Sequence, residues 1–133
     1  MSDEKTLMDF VNEAKSQITE VEVSEVVALL DDGYQVLDVR EPAEYVSGSL
    51  DGAVNIPRGV LEAVADRQYP GRIEMMQDRN KKWLVLCATS GRSAMAVVVM
   101  QQMGFKNVKN IKGGIAAWKS AEMLVVIPPV QKK

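Results

Sequence analysis

Cys87 is the only cysteine in the chain, and it closes an apolar run, Trp83 to Ala88, immediately before T-S-G-R-S at Thr89 to Ser93. Such a run reads as a buried strand. Small residues at Ala88, Ser90 and Gly91 let successive backbone N–H groups converge on one point as the chain turns into the next helix. A negative charge is stabilised there. The group placed to carry it is the Cys87 sulfur, because a helix N-terminus and a nearby arginine favour thiolate over thiol. Arg92 is the candidate neighbour, and the hydroxyls of Thr89, Ser90 and Ser93 can donate further hydrogen bonds to a sulfur or a bound oxyanion.

What the chain lacks narrows the chemistry. It contains no histidine, so Cys/His zinc sites and Ser-His or Cys-His catalytic pairs are excluded. Acyl transfer by cysteine normally needs a base to activate the thiol and protonate the leaving group. Transfer of a sulfane sulfur needs a thiolate and a cradle for the anionic persulfide, with no obligatory proton shuttle, metal or organic cofactor. The residues around Cys87 fit that demand.

The 16 basic and 18 acidic residues leave a net charge of −2, which argues for neither a nucleic-acid nor a membrane partner. Their distribution is uneven. Met1 to Asp78 holds 17 acids and 6 bases, whereas Arg79 to Ala121 holds 8 bases and no acid. A salt-sensitive positive rim is therefore expected around Cys87, formed by Lys81, Lys82, Lys106, Lys109 and Lys112 and attracting a small anionic sulfur donor. No stretch approaches the roughly 18 to 20 apolar residues of a membrane span, and Met1 to Phe10 is unlike a secretory signal. The expectation is a soluble cytoplasmic chain.

The elements that must position Cys87 follow from periodicity. Leu7, Phe10, Val11, Ala14 and Ile18 have helical spacing. Ser24 is a candidate N-cap for a second helix stopped by Asp31 to Gly33. Tyr34 to Val39 reads as a buried strand, and Pro42 suits the first turn of a helix. Ala53 to Ile56 reads as a brief strand. Helical patterns follow over Gly59 to Gln68 and Arg72 to Asp78, separated by Pro70-Gly71. After the Cys87 strand, Ser93 to Met103 is expected to be helical up to Gly104, Val108 to Ile111 extended, and Gly113-Gly114 a tight turn into a helix. Strands separated by helices imply an α/β fold with a mostly parallel sheet, helices on both faces, and a crevice beyond the carboxyl ends of the strands.

The succession L-D-V-R-E-P-A-E-Y (Leu37 to Tyr45), G-A-V-N-I-P (Gly52 to Pro57), C-A-T-S-G-R-S (Cys87 to Ser93), G-F-K-N-V (Gly104 to Val108) and G-G-I-A-A-W (Gly113 to Trp118) resembles a single rhodanese domain. The resemblance runs from about Ile18 to Val126. It implies a five-stranded parallel sheet and a catalytic Cys87 that forms a persulfide. It also implies a substrate cradle at Ala88, Thr89, Ser90, Gly91, Arg92 and Ser93, with Arg58 at a position that often faces the active site. The domain is thus expected over 18–126, with an N-terminal amphipathic helix over 1–17 and an extended or disordered tail over 127–133. The implied reaction moves sulfur from thiosulfate or polysulfide to cyanide or an acceptor thiol or protein, and relatives of this size are often homodimers.

Ser49 departs from the pattern, standing in G-S-L where G-H-L or G-H-I is usual, with consequences expected for Tyr45 and its turn. Asp38 and Arg40 read as residues that hold the strand end by hydrogen bonds. Met95, Met100 and Met103 read as packing, and Trp83 and Trp118 as core anchors. The Leu7/Phe10/Val11/Ala14 stripe could cover its own domain or a second subunit. Two rivals remain. One is a cysteine-based phosphatase or arsenate reductase, although four residues separate Cys87 from Arg92, one fewer than in the C-x5-R signature. The other is a non-catalytic rhodanese module that binds a partner protein.

Overall fold

Thr6 opens the first helix, α1 (Leu7–Lys15), through a capping box: its hydroxyl accepts from Asp9 N, and the Asp9 carboxylate accepts from Thr6 N. The computed structural model describes residues 3–129. Beyond α1 the chain alternates: β1 (Glu20–Val21), α2 (Val23–Asp31), β2 (Gln35–Asp38), α3 (Pro42–Val46), β3 (Val54–Asn55), α4 (Leu61–Ala65), β4 (Lys82–Leu86), α5 (Gly91–Gln102), β5 (Asn107–Ile111) and α6 (Gly114–Ser120). All five strands are parallel, in the order β1-β5-β4-β2-β3. The expected α/β sheet is present.

Side-chain alternation along the strands makes two cores. On β4, Trp83 and Val85 point with Cys87 into a cluster that includes Leu61, Ala65, Ala96, Val97 and Met100, the face covered by α4 and α5. Leu84 and Leu86 point the other way, toward Val26, Ile115 and Trp118 of α2 and α6. Trp83 and Trp118 are both buried, as core anchors should be. Burial on both faces explains why β4 reads as an unbroken apolar run.

Several boundaries differ from expectation. The α2 helix is capped by Glu22 rather than Ser24, because Glu25 reaches back to Glu22 N and completes the box two residues earlier than a serine cap would. The pattern over Gly59 to Gln68 resolves into a 3-10 turn, Arg58–Val60, followed by the short α4. Arg72 to Asp78 forms a single 3-10 turn, Glu74–Met76, that drops Met76 into the core. Ile18 lies beyond α1, where it packs against the α4/α5 cluster.

At the other end, Ser49 and Val126 exchange backbone hydrogen bonds in an antiparallel bridge, and Trp118 Nε1 donates to Leu124 O. The expected tail begins just past this bridge with the exposed Ile127, and its residues 130–133 lie outside the described residues. No described helix is long and apolar enough to cross a membrane.

Candidate active site

The β4 strand delivers Cys87 to the carboxyl edge of the sheet, where α5 begins four residues later. Ser90 adopts a left-handed conformation, φ +88°, which costs a non-glycine residue about 1–3 kcal/mol. That bend turns Ser90 N–H back onto Cys87 Sγ at 3.1 Å, and Ser93 Oγ donates to the same sulfur from the first turn of α5 at 3.2 Å. Both serines are buried, and Cys87 is 1% exposed. Two donors thus converge on the sulfur at the amino end of α5.

The loop is held from outside by α6. Ile115 N donates to Cys87 O and Ala116 N to Ala88 O, so the loop carbonyls are satisfied on the side away from the sulfur. Gly114 makes this approach possible: its φ is +59°, and a Cβ there would collide with Cys87 O and sit 2.7 Å from Ala88 O. Beneath the loop, Asn110 Nδ2 donates to Ser90 O at 3.3 Å and to Glu20 Oε2 at 2.9 Å.

A cavity of about 260 Å³ opens over the sulfur, lined by Cys87, Thr89, Gly91, Arg92 and Met95 from the loop and α5. Its remaining wall, Leu7, Met8, Val11 and Lys15, comes from α1. The two helices meet closely, since a Cβ on Gly91 would lie 3.3 Å from a Val11 methyl.

The sequence-predicted residues take different positions around this cavity. Ser90 and Ser93 hold the sulfur, Thr89, Gly91 and Arg92 line the space above it, and Ala88 contributes the carbonyl taken by α6. Arg92 faces Glu44, with Nη1 donating to Oε1 at 2.7 Å and Nη2 to Oε2 at 3.0 Å. This bidentate bond pulls the Glu44 carboxyl from 4.5 down to about 2 and raises Arg92 in turn. Arg58 is not brought to the cavity. It lines a neighbouring groove with Phe10, Glu13 and Gln17 and forms an ion pair with Glu62 at 2.8 Å.

The expected lysine rim does not form. Lys82 begins β4 in register with Asn107, so Lys81, Lys82 and Lys106 sit at the amino edge of the sheet, about 16 Å from Cys87 at 3.3 Å per residue. Lys82 Nζ bonds Asp32 O there, and Lys81 lies over the Trp83 ring. Lys109 shares the strand parity of Ile111, hence the opposite face from Cys87, and Lys112 pairs with Glu22 at 3.4 Å. A parallel sheet separates residues at strand starts from residues at strand ends, which a linear charge count cannot register.

Glu44 and the α1 wall were missed by sequence reasoning. Glu44 offered one signal, its place three residues after Glu41 in a capping box, and that box forms. Nothing local links position 44 to position 92.

Asp38 and Arg40 do hold the neighbouring strand end. Their buried ion pair spans 2.8 Å, Arg40 Nη2 also donates to Gly48 O, and Ser49 Oγ donates to Asp38 Oδ2 at 2.7 Å. Ser49 is thereby integrated in place of the usual histidine. Tyr45 is anchored separately, its hydroxyl donating to Ala53 O.

A parallel sheet that delivers a lone cysteine into the mouth of a following helix, with amide and hydroxyl donors on its sulfur, defines a class of cysteine-loop α/β domains. The chain belongs to the Rhodanese-like domain family, whose profile matches residues 22–121. Thiosulfate sulfurtransferase 16 of Arabidopsis thaliana, a chloroplastic protein, is 33% identical over 89 residues, 65% of this chain and 74% of the relative. The tRNA uridine(34) hydroxylase of Cronobacter sakazakii is 37% identical over 97 residues, 71% of this chain, but the chain spans only 27% of that protein's length. A solved structure from Rhodopseudomonas palustris, a protein of unknown function named as a possible tyrosine phosphatase, superposes with a TM-score of 0.85 at 31% identity, covering 95% of this chain and 98% of that one.

Proposed function

We propose that this chain is a sulfurtransferase with Cys87 as its nucleophile and the loop from Ala88 to Ser93 as the cradle for a sulfur-bound negative charge. The single observation that carries the reading is the convergence of Ser90 N–H and Ser93 Oγ on Cys87 Sγ at the floor of an open cavity. The thiolate attacks the outer sulfur of thiosulfate or of a polysulfide. A new S–S bond forms at Cys87, the old S–S bond breaks, and its electron pair leaves on sulfite or on the shortened polysulfide. Attack by cyanide or an acceptor thiolate on the terminal persulfide sulfur then returns the Cys87 thiolate. Charge is conserved in both steps, so neither needs a histidine.

Phosphate chemistry is the less favoured reading because Arg92 uses both terminal nitrogens for Glu44 rather than facing the loop as an oxyanion fork. A reducing compartment such as the cytoplasm suits a lone thiol that cycles through a persulfide. Intact-mass measurement after incubation with thiosulfate, and separately with polysulfide, tests the assignment. The parent chain is expected to gain one sulfur atom and Cys87→Ser none; an equal gain in the variant would falsify the nucleophile.

A further inference from the structure

We propose that α1 makes the Cys87 cavity selective for sulfane-sulfur donors that carry one negative charge on an apolar body, of the thiosulfonate type R–SO2–S⁻, with Lys15 as the residue that binds the charge. The inference rests on the sulfurtransferase reading and assigns to α1 the residues that choose among the donors. The α1 helix lies outside the matched region 22–121.

The cavity wall is mainly hydrocarbon. Leu7, Met8 and Val11 of α1 line the same cavity as Cys87, together with Met95 of α5. Leu7 is 68% and Met8 57% exposed, so the mouth is an apolar surface open to solvent rather than a sealed core. Two cations reach the cavity, and they differ. Arg92 is compensated by the Glu44 carboxylate. Lys15 is half-buried, and its ammonium has no hydrogen-bond or ion-pair partner among the described residues. The site therefore offers one uncompensated positive charge beside an apolar wall.

Thiosulfate brings two charges and no apolar surface. Desolvating it against Leu7, Met8 and Met95 is costly, and Lys15 matches only half of its charge. A thiosulfonate brings one charge for Lys15 and a hydrocarbon group for the wall. The Cys87 thiolate attacks its outer sulfur, the S–S bond to the sulfonyl group breaks, and the electron pair departs on the sulfinate RSO2⁻, leaving the persulfide on Cys87.

The test uses the full chain with cyanide as acceptor and thiocyanate as readout. Methanethiosulfonate and butanethiosulfonate carry the same charge, both release an alkanesulfinate, and differ only in hydrocarbon length. For partial burial of the three added methylenes, kcat/KM is expected to rise about tenfold from the methyl to the butyl donor. The double variant Leu7→Ser/Met8→Ser should flatten that rise. Lys15→Met should raise KM for both thiosulfonates by about five- to tenfold, with the loss falling on KM rather than kcat, and Lys15→Arg should recover it. A lysine that merely complements the carboxyl end of α1 would alter the melting temperature and leave KM in place. A flat donor series in the parent chain, or an unchanged KM in Lys15→Met, overturns the assignment. Turnover of thiosulfate with a flat series defeats only the pocket assignment; absence of both thiocyanate and the mass gain on Cys87 with every donor defeats the sulfurtransferase reading as well.

Discussion

Two polar clusters stand at the carboxyl ends of adjacent strands, and they are completed differently. At the end of β2, Asp38 receives Arg40 Nε and Nη2, Arg40 N and Ser49 Oγ, while Asn55 Nδ2 bonds the Asp38 and Arg40 carbonyls. Asp38, Arg40 and Ser49 are all buried, and both charges are matched. At the end of β4, Cys87 Sγ receives two donors and then meets an open cavity. The same edge of one sheet thus carries a closed network that fixes the chain and a partly open one that leaves the Cys87 sulfur beside a cavity. On the proposed reading, what separates the reactive cluster from the structural one is unfinished coordination, not polarity or position on the sheet alone.

The contrast is broken most forcefully at the closed cluster. Asp38→Ala leaves the buried Arg40 guanidinium without its counter-charge, and urea denaturation should register a loss of about 3–5 kcal/mol. A loss below about 1 kcal/mol would mean that water or backbone groups compensate Arg40 and that the cluster is not closed.

At the open cluster the effect should fall on chemistry instead. Ser93→Ala removes one of the two donors to Cys87 Sγ, and persulfide formation at fixed pH is expected to slow about tenfold, the worth of one hydrogen bond near 1.4 kcal/mol. Stopped-flow persulfidation beside an unfolding curve separates the two regions. A variant that unfolds easily yet reacts at the parent rate would reverse their roles.

The smallest effect belongs to Glu44, which joins α3 to α5 across the cavity rim. Glu44→Gln should cost no more than about 1 kcal/mol at neutral pH, because the pair is more than a third exposed. Its folded carboxyl is depressed from 4.5 to about 2, so its stabilisation is fully present above 4.5 and is lost as pH falls through 2. Melting temperatures of parent and variant should converge over that window. A gap that stays constant down to pH 2 would show that the ion pair is not its source.

Strands and loop were legible because their signals are local. The W-L-V-L-C run marks β4, small residues mark the turn after it, and Gly113-Gly114 marks the start of α6. The two-residue β1 carried no such signal: Glu20 and Val21 become a strand only by pairing with Asn110 and Ile111. The methionines show the same division. Met100 is buried core and Met103 packs beside it, as helical spacing indicates, whereas Met95 forms part of a cavity wall that exists only once α1 is in place.

Alternation of apolar strands and helices, with one cysteine at a strand end and no histidine anywhere, already determined the parallel sheet and the edge at which Cys87 stands. Those features depend on neighbours within a turn or a strand. Tertiary structure alone decided which charges meet the sulfur. It carried the lysines at strand starts to the far edge, tied Arg92 to Glu44, and placed Lys15 and the apolar side chains of α1 over Cys87. Electrostatic and packing forces act through space, and the distances that set them arise only when segments far apart in the chain fold against one another.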